Sequence, residues 1–290
     1  MHKSVLLQET LFHLNIKRDG VYVDATFGGG ETSLAILDKL SDKGKLIAID
    51  LDKEAVHRAD KLTKTYPQLI PIRANFKDIK SVLEDINILE VDGVVADLGI
   101  SNYQLENKLR GFGLESDSLL DMRIDQDQIV IALDILKRYS EKDLIQLFQE
   151  VGEQPFSKRI ARAIKEEKDF QSTAEFYKII ERAIPANLRY KAKKIAVNLF
   201  RALRMEVNSE IENLNEFIPK AINVLTESGR LVIISFHSIE DRIVKHALKN
   251  NKQVKILTKK PIIPSIGEVK NNPKSRSAKL RACKKIVIGD

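Results

Sequence analysis

Through the first third of the chain, apolar positions alternate between two rhythms. Short runs at 21–23, 46–49, 70–73 and 91–98 are dense in Val, Ile and Leu and read as buried strands. Between them the spacing turns helical, as in Leu34, Ala35, Leu37 and Leu40, then across 54–62 up to Pro67, then across 79–86. An amphipathic helix over 4–15, with Val5, Leu6, Leu7, Leu11 and Leu14 on its apolar side, comes first. Strand and helix in alternation predict an α/β class: a mostly parallel sheet with helices packed on it.

The alternation stops near 105. From there to 204 the pattern predicts only helices. One covers 129–139; one is opened by Ser140 with Asp143 in capping position and closes near Gly152. Another begins at Pro155 with Phe156, Ile160 and Ala163 on one face, and the next has a Ser172–Glu175 capping box and ends at Pro185. The first rhythm resumes near 205. Val207, Ile211, Leu214, Ile218 and Leu225 keep one helical phase, kinked at Pro219. A strand at 231–236, a helix at 237–249 and a closing antiparallel pair near 254–258 and 279–288 follow. The expected organisation is an α/β domain of 1–104 and 205–290, interrupted by an all-helical insertion of 105–204. The insertion departs from the edge of the sheet where a ligand would sit, which points to substrate recognition.

Chemistry enters between the first two strands. Gly28, Gly29 and Gly30 let the main chain approach a ligand closely, and the helix behind them offers unpaired N–H groups. Asp50 ends the second strand, where an acid accepts ribose hydroxyls. A dinucleotide loop would need a third glycine near position 33, and this chain has Ser33. Asp24, just before the loop, repels a pyrophosphate but suits a cationic amino group. A ligand with an adenosine, a positive amino-acid tail and no phosphate satisfies both ends, so the expected cofactor is S-adenosylmethionine. Phe76, after the third strand, can stack on an adenine or serve equally as a plain core side chain. With Asp97 after the fourth, Asp24, Asp50 and Phe76 complete a set at the carboxyl ends of four successive strands, where such sheets bind ligands.

Charge narrows the partner. The excess of 48 basic over 41 acidic residues matters less than its location. Arg189, Lys191, Lys193, Lys194, Arg201 and Arg204 form one cluster. A second runs through Lys255, Lys259, Lys260, Lys270, Lys274, Arg276, Lys279, Arg281, Lys284 and Lys285, with Glu268 the only acid between Lys245 and Ile288. So little counter-charge favours a nucleic-acid backbone as partner. No run is long enough to span a membrane and the N-terminus does not read as a signal peptide. A lone Cys283 excludes an intramolecular disulfide and a cysteine-rich zinc site. These features lead to the expectation of a cytoplasmic protein with no membrane partner and no metal. Nothing fixes the oligomeric state, a homodimer included.

Several stretches together resemble one family. HKSVLLQE, GVYVDATFGGGETS, DLGIS followed by YQL, RGF, LLDMRID, GEQPFSKRIARAI, FRALRMEVNSEIE, GRLVIISFHSIEDRIVK and NPKSRSAKLR occur in the order seen in the bacterial ribosomal RNA small subunit methyltransferase H family, also called MraW. The resemblance implies a class I (Rossmann-like) methyltransferase sheet with a helical insertion. It also implies transfer of methyl from S-adenosylmethionine to the exocyclic N4 of a cytidine in the decoding region of small-subunit rRNA, free or in the assembled subunit. It implies cofactor contacts at Gly30, Glu31, Thr32, Asp50, Phe76, Asp97 and Gln104. The family typically reads Gly-Gly-His where this chain has Gly30, Glu31 and Thr32, so contacts made by that histidine are absent and Glu31 adds an acid near Asp24.

Cytosine N4 is a weak nucleophile because its lone pair is shared with the ring. An acceptor for the amino hydrogens localises that pair and takes the released proton. Asp97 is the first candidate, with cofactor binding or loop capping alone as its alternative role. His237, at the tip of the fifth strand between Ser235 and Ser238, is the second, with a structural role or an RNA phosphate contact as its alternatives. The target base must leave its stack. The rival expectations are a non-catalytic rRNA-binding assembly factor on a methyltransferase scaffold, permitted by Glu31 and Thr32, and a small-molecule methyltransferase, which leaves the basic tail without a role.

Overall fold

A computed structural model describes residues 4–114, 116–151, 156–167 and 169–287. The chain divides into two compact units, one made of residues up to Gly99 and from Glu212 onward, the other of Ile100–Ile211. The first unit opens with α1 (Leu7–Leu14), β1 (Val21–Asp24), α2 (Glu31–Leu37), β2 (Lys45–Asp50), α3 (Lys53–Leu62), β3 (Leu69–Arg73), α4 (Ile79–Asp85) and β4 (Val91–Asp97). The second holds α5 (Asn102–Glu106), α6 (Ala132–Arg138), α7 (Glu141–Glu150), α8 (Ser157–Glu166), α9 (Thr173–Ala183) and α10 (Ala192–Val207). The chain returns through α11 (Glu210–Asn223) to β5 (Leu225–Ser235), α12 (Ser238–Asn250), β6 (Val254–Ile256), α13 (Ile266–Asn271) and β7 (Lys279–Lys285).

The seven strands form one sheet in the order β3-β2-β1-β4-β5-β7-β6. β3, β2, β1, β4 and β5 pair parallel; β7 runs antiparallel to both β5 and β6. Alternate residues of each strand point to opposite faces, and both faces are covered. Val23, Ile47, Val94 and Ile233 pack with Leu83 of α4, Phe217 of α11 and Val244 of α12. Tyr22, Leu46, Val95 and Val232 pack with Leu14 of α1, Ile36 of α2 and Ala59 of α3. The doubly wound α/β class expected from the alternation is the observed one. Chain order reverses between β1 and β4, and crevices at the carboxyl ends of such a pair are where these sheets take ligands.

The second unit has its own core, in which Leu136, Leu144, Phe148, Ile160, Phe176, Leu199 and Phe200 are buried together. Among its described residues there is no strand, only an isolated bridge between Leu119 and Ser172. Both expected capping boxes form, at Ser140–Asp143 and Ser172–Glu175. Gly152 and Pro155 lie outside the described residues, as do His2 and Lys3.

Some expected boundaries move. The single helical phase from Val207 to Leu225 is two helices and a strand start. α10 ends at Val207 because Ser209 takes a left-handed φ of 48°, and Asn208 locks the turn by donating to the carbonyls of Met122 and Arg204, each at 2.8 Å. Leu225 pairs with Val91 at the beginning of β5, so its place in the helical phase is coincidental. α1 begins at Leu7, one residue after a left-handed Leu6 whose N–H donates to Glu268 Oε1 at 2.9 Å. α6 begins at Ala132, which leaves Ile129 85% exposed. No helix of the described residues is long and apolar enough to cross a membrane.

Candidate active site

The glycine loop is tied to strands on both sides. Ala25 N–H donates to Val95 O of β4 at 2.8 Å, and Phe27 N–H donates to Ile49 O of β2 at 3.0 Å. Gly28 (φ 52°) and Gly30 (φ 87°) are left-handed, a region that costs other residues energy. A Cβ on Gly30 would stand 2.6 Å from the Phe27 ring, so this position accepts only hydrogen. Gly30 caps α2, and Glu31 opens it, where a negative charge favours the helix N-terminus. The Glu31 side chain folds back over Gly29: a Cβ there would lie 2.5 Å from its carboxylate.

Three aspartates end β1, β2 and β4, and they are not alike. Asp50 Oδ2 accepts Gly28 N–H and Oδ1 accepts Asp52 N–H, both at 2.8 Å. Burial outweighs those bonds and pushes its pKa up to about 6, with Asp52 adding to the rise and Arg58 opposing it. Asp24 accepts Ser33 O–H at 2.7 Å and Thr26 N–H at 3.2 Å. Burial raises its pKa to about 6 as well, against those hydrogen bonds and with help from the negative charges of Asp50 and Glu31. Asp97 lies two register positions beyond the β4 partner of Asp24, since Asp24 pairs with Val95. Its N–H donates to Thr26 Oγ1 at 2.6 Å, but its side-chain Oδ1 is sealed from solvent and has no hydrogen-bond partner among the described residues. Burial, then Asp24, Glu240 and Glu31 in that order, push its pKa up to about 8.

His237 is buried as the N-cap of α12. Its Nδ1 accepts Glu240 N–H at 3.4 Å; Nε2 lies 3.0 Å from Glu240 Oε1 but off the line of a hydrogen bond. Glu240, 4% exposed, also accepts Phe236 N–H at 2.8 Å. The Nδ1 edge of the imidazole is thus used in the β5–α12 turn, while Nε2 makes no hydrogen bond among the described residues. Phe76 is half-buried and meets Phe217 edge-on at 5.0 Å, which fixes its ring after β3. Thr32 is buried, its Oγ1 2.8 Å from Ser4 Oγ. Gln104 belongs to the other unit, where it closes a capping box with Ser101 at the start of α5. The sheet unit therefore gathers Asp24, Gly28, Gly30, Glu31, Asp50 and Asp97 around the β1–β4 reversal.

Four supporting residues escaped the sequence reading. Ser33 had been noted only for not being glycine, yet it holds Asp24. Thr26 anchors the backbone of Asp97. Arg58 Nη2 donates to Gly28 O at 3.0 Å, and its charge opposes the rise in the Asp50 pKa. Glu240 was legible: an acid three residues after a cap is a capping signal.

The donor set fits S-adenosylmethionine. Left-handed glycines leave the loop backbone open where a Cβ would intrude, and the nearby charges are carboxylates, which suit a sulfonium and an ammonium and oppose a phosphate. Asp97 Oδ1 is a buried oxygen without a hydrogen-bond partner among the described residues, a state that buried polar groups mostly avoid. In the helical unit a cleft of about 790 Å³ is lined by Phe112, Met122 and Phe200 together with Lys108, Lys193 and Arg201.

Comparison with known proteins agrees with this geometry. The model of the MraW methylase family matches residues 1–286. Ribosomal RNA small subunit methyltransferase H of Clostridium botulinum (strain Loch Maree / Type A3) is 45% identical, across 98% of this chain and 99% of that protein. The protein of the same name from Clostridioides difficile (strain 630) is 42% identical over the same shares. A solved chain from Clostridium thermocellum described as an rRNA methylase superposes with a TM-score of 0.50 at 12% identity, covering 99% of this chain and 100% of that one, a likeness of fold. Matched by the family model along nearly its whole length, the chain belongs to the MraW methylase family, class I methyltransferases that take their methyl group from S-adenosylmethionine.

Proposed function

We propose that the protein methylates small-subunit rRNA, and that the acceptor is the exocyclic N4 of a cytidine in the decoding region. The relatives' shared name supports the rRNA substrate. The observation that carries the choice of an amino nitrogen is Asp97, a buried carboxyl at the tip of β4 with one oxygen unpartnered. When bound, S-adenosylmethionine supplies an electrophilic methyl on a sulfonium. Gly28, Gly30, Glu31 and Thr32 would hold its amino-acid end with Asp24. Asp50 would take the ribose hydroxyls, Phe76 the adenine, and Gln104 is carried over from the family resemblance.

Asp97 accepts a hydrogen bond from the cytosine amino group through Oδ1, localises the nitrogen lone pair, and takes the proton released on transfer. Its raised pKa keeps it protonated in the free site at neutral pH. A cation bound beside it favours the ionised form, so ligand binding and readiness of the base are linked. His237 keeps its imidazole on Glu240 and fixes the turn after β5. Cys283 takes no part: it is buried in β7, and burial pushes its thiol up to about 12, which disfavours the cysteine nucleophile that methylation at cytosine carbon five needs.

The helical unit is the substrate-recognition part in this reading, with the basic tail as a second RNA-facing surface. Not all of that tail is available. Lys279 and Arg281 bind Asp241 at 3.3 and 2.6 Å, and Lys285 donates to the carbonyls of Asn223 and Leu225. Lys255, Lys259, Lys260, Lys270 and Arg276 remain exposed. The test is incubation of labelled cofactor with immature small subunits and with naked small-subunit rRNA, followed by nucleoside analysis. N4-methylcytidine is expected; 5-methylcytidine, or turnover of a small molecule without RNA, overturns the reading. A calorimetric titration that finds no S-adenosylmethionine binding would instead support a non-catalytic assembly factor.

A further inference from the structure

Between Glu181 and Glu206 the chain carries no acid, and its cations fall into two groups. Arg182 pairs with Glu167 at 2.6 Å, and Arg204 binds both oxygens of Glu210 at 2.7 and 2.8 Å. Arg189, Lys191 and Lys194 are exposed and make no ion pair among the described residues. In their midst stands Tyr190, 78% exposed and outside the core of its unit. Lys191 Nζ lies 5.4 Å from its ring centroid. Along α10, Lys193, Val197 and Arg201 recur every four residues and line the cleft of the helical unit.

A single exposed aromatic is unremarkable on a protein surface. An aromatic face surrounded by unpaired cations has a narrower use. Unpaired bases stack on such rings whatever their sequence, while the cations hold the flanking phosphates. An acidic protein surface would engage the charges but would leave the ring idle. The nearby Lys191 makes the ring part of a cation–π pair that a base can extend.

We infer that Tyr190, with Arg189, Lys191 and Lys194, is a stacking platform for an unpaired base of single-stranded RNA. The inference rests on the rRNA reading above and adds where, and by what contact, the substrate is gripped. It predicts a split between stacking and charge. Fluorescence anisotropy of the full-length protein, with a labelled single-stranded oligocytidylate and with an RNA duplex of equal length, reads it out. Tyr190→Ala weakens single-strand binding roughly 5- to 100-fold, the range expected for one lost base stack, with the salt dependence unchanged. Tyr190→Trp keeps wild-type affinity. Duplex binding changes little in either. Arg189→Ala with Lys194→Ala weakens both ligands and flattens the salt dependence. The exposure of Tyr190 removes folding as a confounder, and equal melting temperatures check it. Wild-type affinity in Tyr190→Ala, equal losses for single strand and duplex, or failure of Trp to restore binding would overturn the platform while leaving the rRNA reading intact. A wild-type protein that binds neither RNA but binds an acidic peptide would overturn both.

Discussion

At the β1–β2 edge of the sheet, each carboxylate oxygen is already in use. Asp24 accepts Ser33 O–H and Thr26 N–H; Asp50 accepts the N–H groups of Gly28 and Asp52. At the β4 edge, Asp97 is as deeply buried and faces three negative neighbours, Asp24, Glu240 and Glu31, but Oδ1 receives nothing. Buried acceptors in folded proteins are nearly always satisfied. The contrast therefore separates a frame from a reacting edge. Asp24 and Asp50 shape the loop and can still accept a second hydrogen bond; in the proposed reading, Asp97 is held for a group that the fold does not provide. Its higher pKa follows from burial and from three negative neighbours with no hydrogen bond to offset them, whereas the other two have hydrogen bonds that lower theirs.

The contrast breaks most directly through Asp97→Asn, which keeps shape and removes the base. Methyl transfer should fall by roughly 10²- to 10⁴-fold, the usual worth of a positioned acid or base, measured as single-turnover rate on rRNA. A change below tenfold removes Asp97 from the chemistry. Next comes Gly30→Ala, which must place a Cβ 2.6 Å from the Phe27 ring at a φ of 87°. It should cost roughly 1–3 kcal/mol in denaturant unfolding and weaken S-adenosylmethionine binding; an unchanged midpoint would mean that the loop is slack.

A subtler effect is the pH dependence of stability. Asp97 binds its proton more tightly folded (pKa about 8) than unfolded, so its stabilising contribution is complete below the ordinary carboxylate pKa and is lost as pH rises through about 8. Asp97→Asn should therefore gain melting temperature relative to the ligand-free wild type at pH 9, with the gap narrowing toward pH 5. A gap that widens on acidification contradicts the assignment. The smallest expected effect is that of Glu31→Gln, which removes one of three charges pressing on Asp97. It should weaken cofactor binding about two- to fivefold and move the alkaline rise in activity to slightly lower pH. An upward move would show that Glu31 does not act through its charge.

Much of the frame was legible because it is periodic. Strand and helix alternate through β4, and the acids at the strand ends stand at places that the doubly wound class assigns to ligands. Boundaries set by single backbone angles were not. Nothing in the apolar spacing marks Ser209 as left-handed or turns Leu225 into a strand residue. The site divided in the same way. Asp24, Asp50 and Asp97 could be picked out as types at positions, but which of them is satisfied depends on Ser33, Thr26 and two loop N–H groups that meet them only in three dimensions. His237 has a second use that its residue type does not announce: its Nδ1 accepts Glu240 N–H and caps α12. The basic tail likewise looked uniform in sequence, and Asp241 quietly takes two of its cations.

The central claim, that one edge binds and the other reacts, is tested by measuring affinity and transfer separately in two variants. Calorimetry gives S-adenosylmethionine affinity, and single-turnover transfer at saturating cofactor gives the chemical step, for Asp50→Asn and Asp97→Asn. Asp50→Asn should lose affinity and keep most of its transfer rate once saturated. Asp97→Asn should lose transfer by far more than it loses affinity, its affinity loss being limited to the share that the Asp97 charge contributes. If both variants lose affinity and rate in equal proportion, the two edges are one binding site and the distinction drawn from the unpartnered oxygen of Asp97 is wrong.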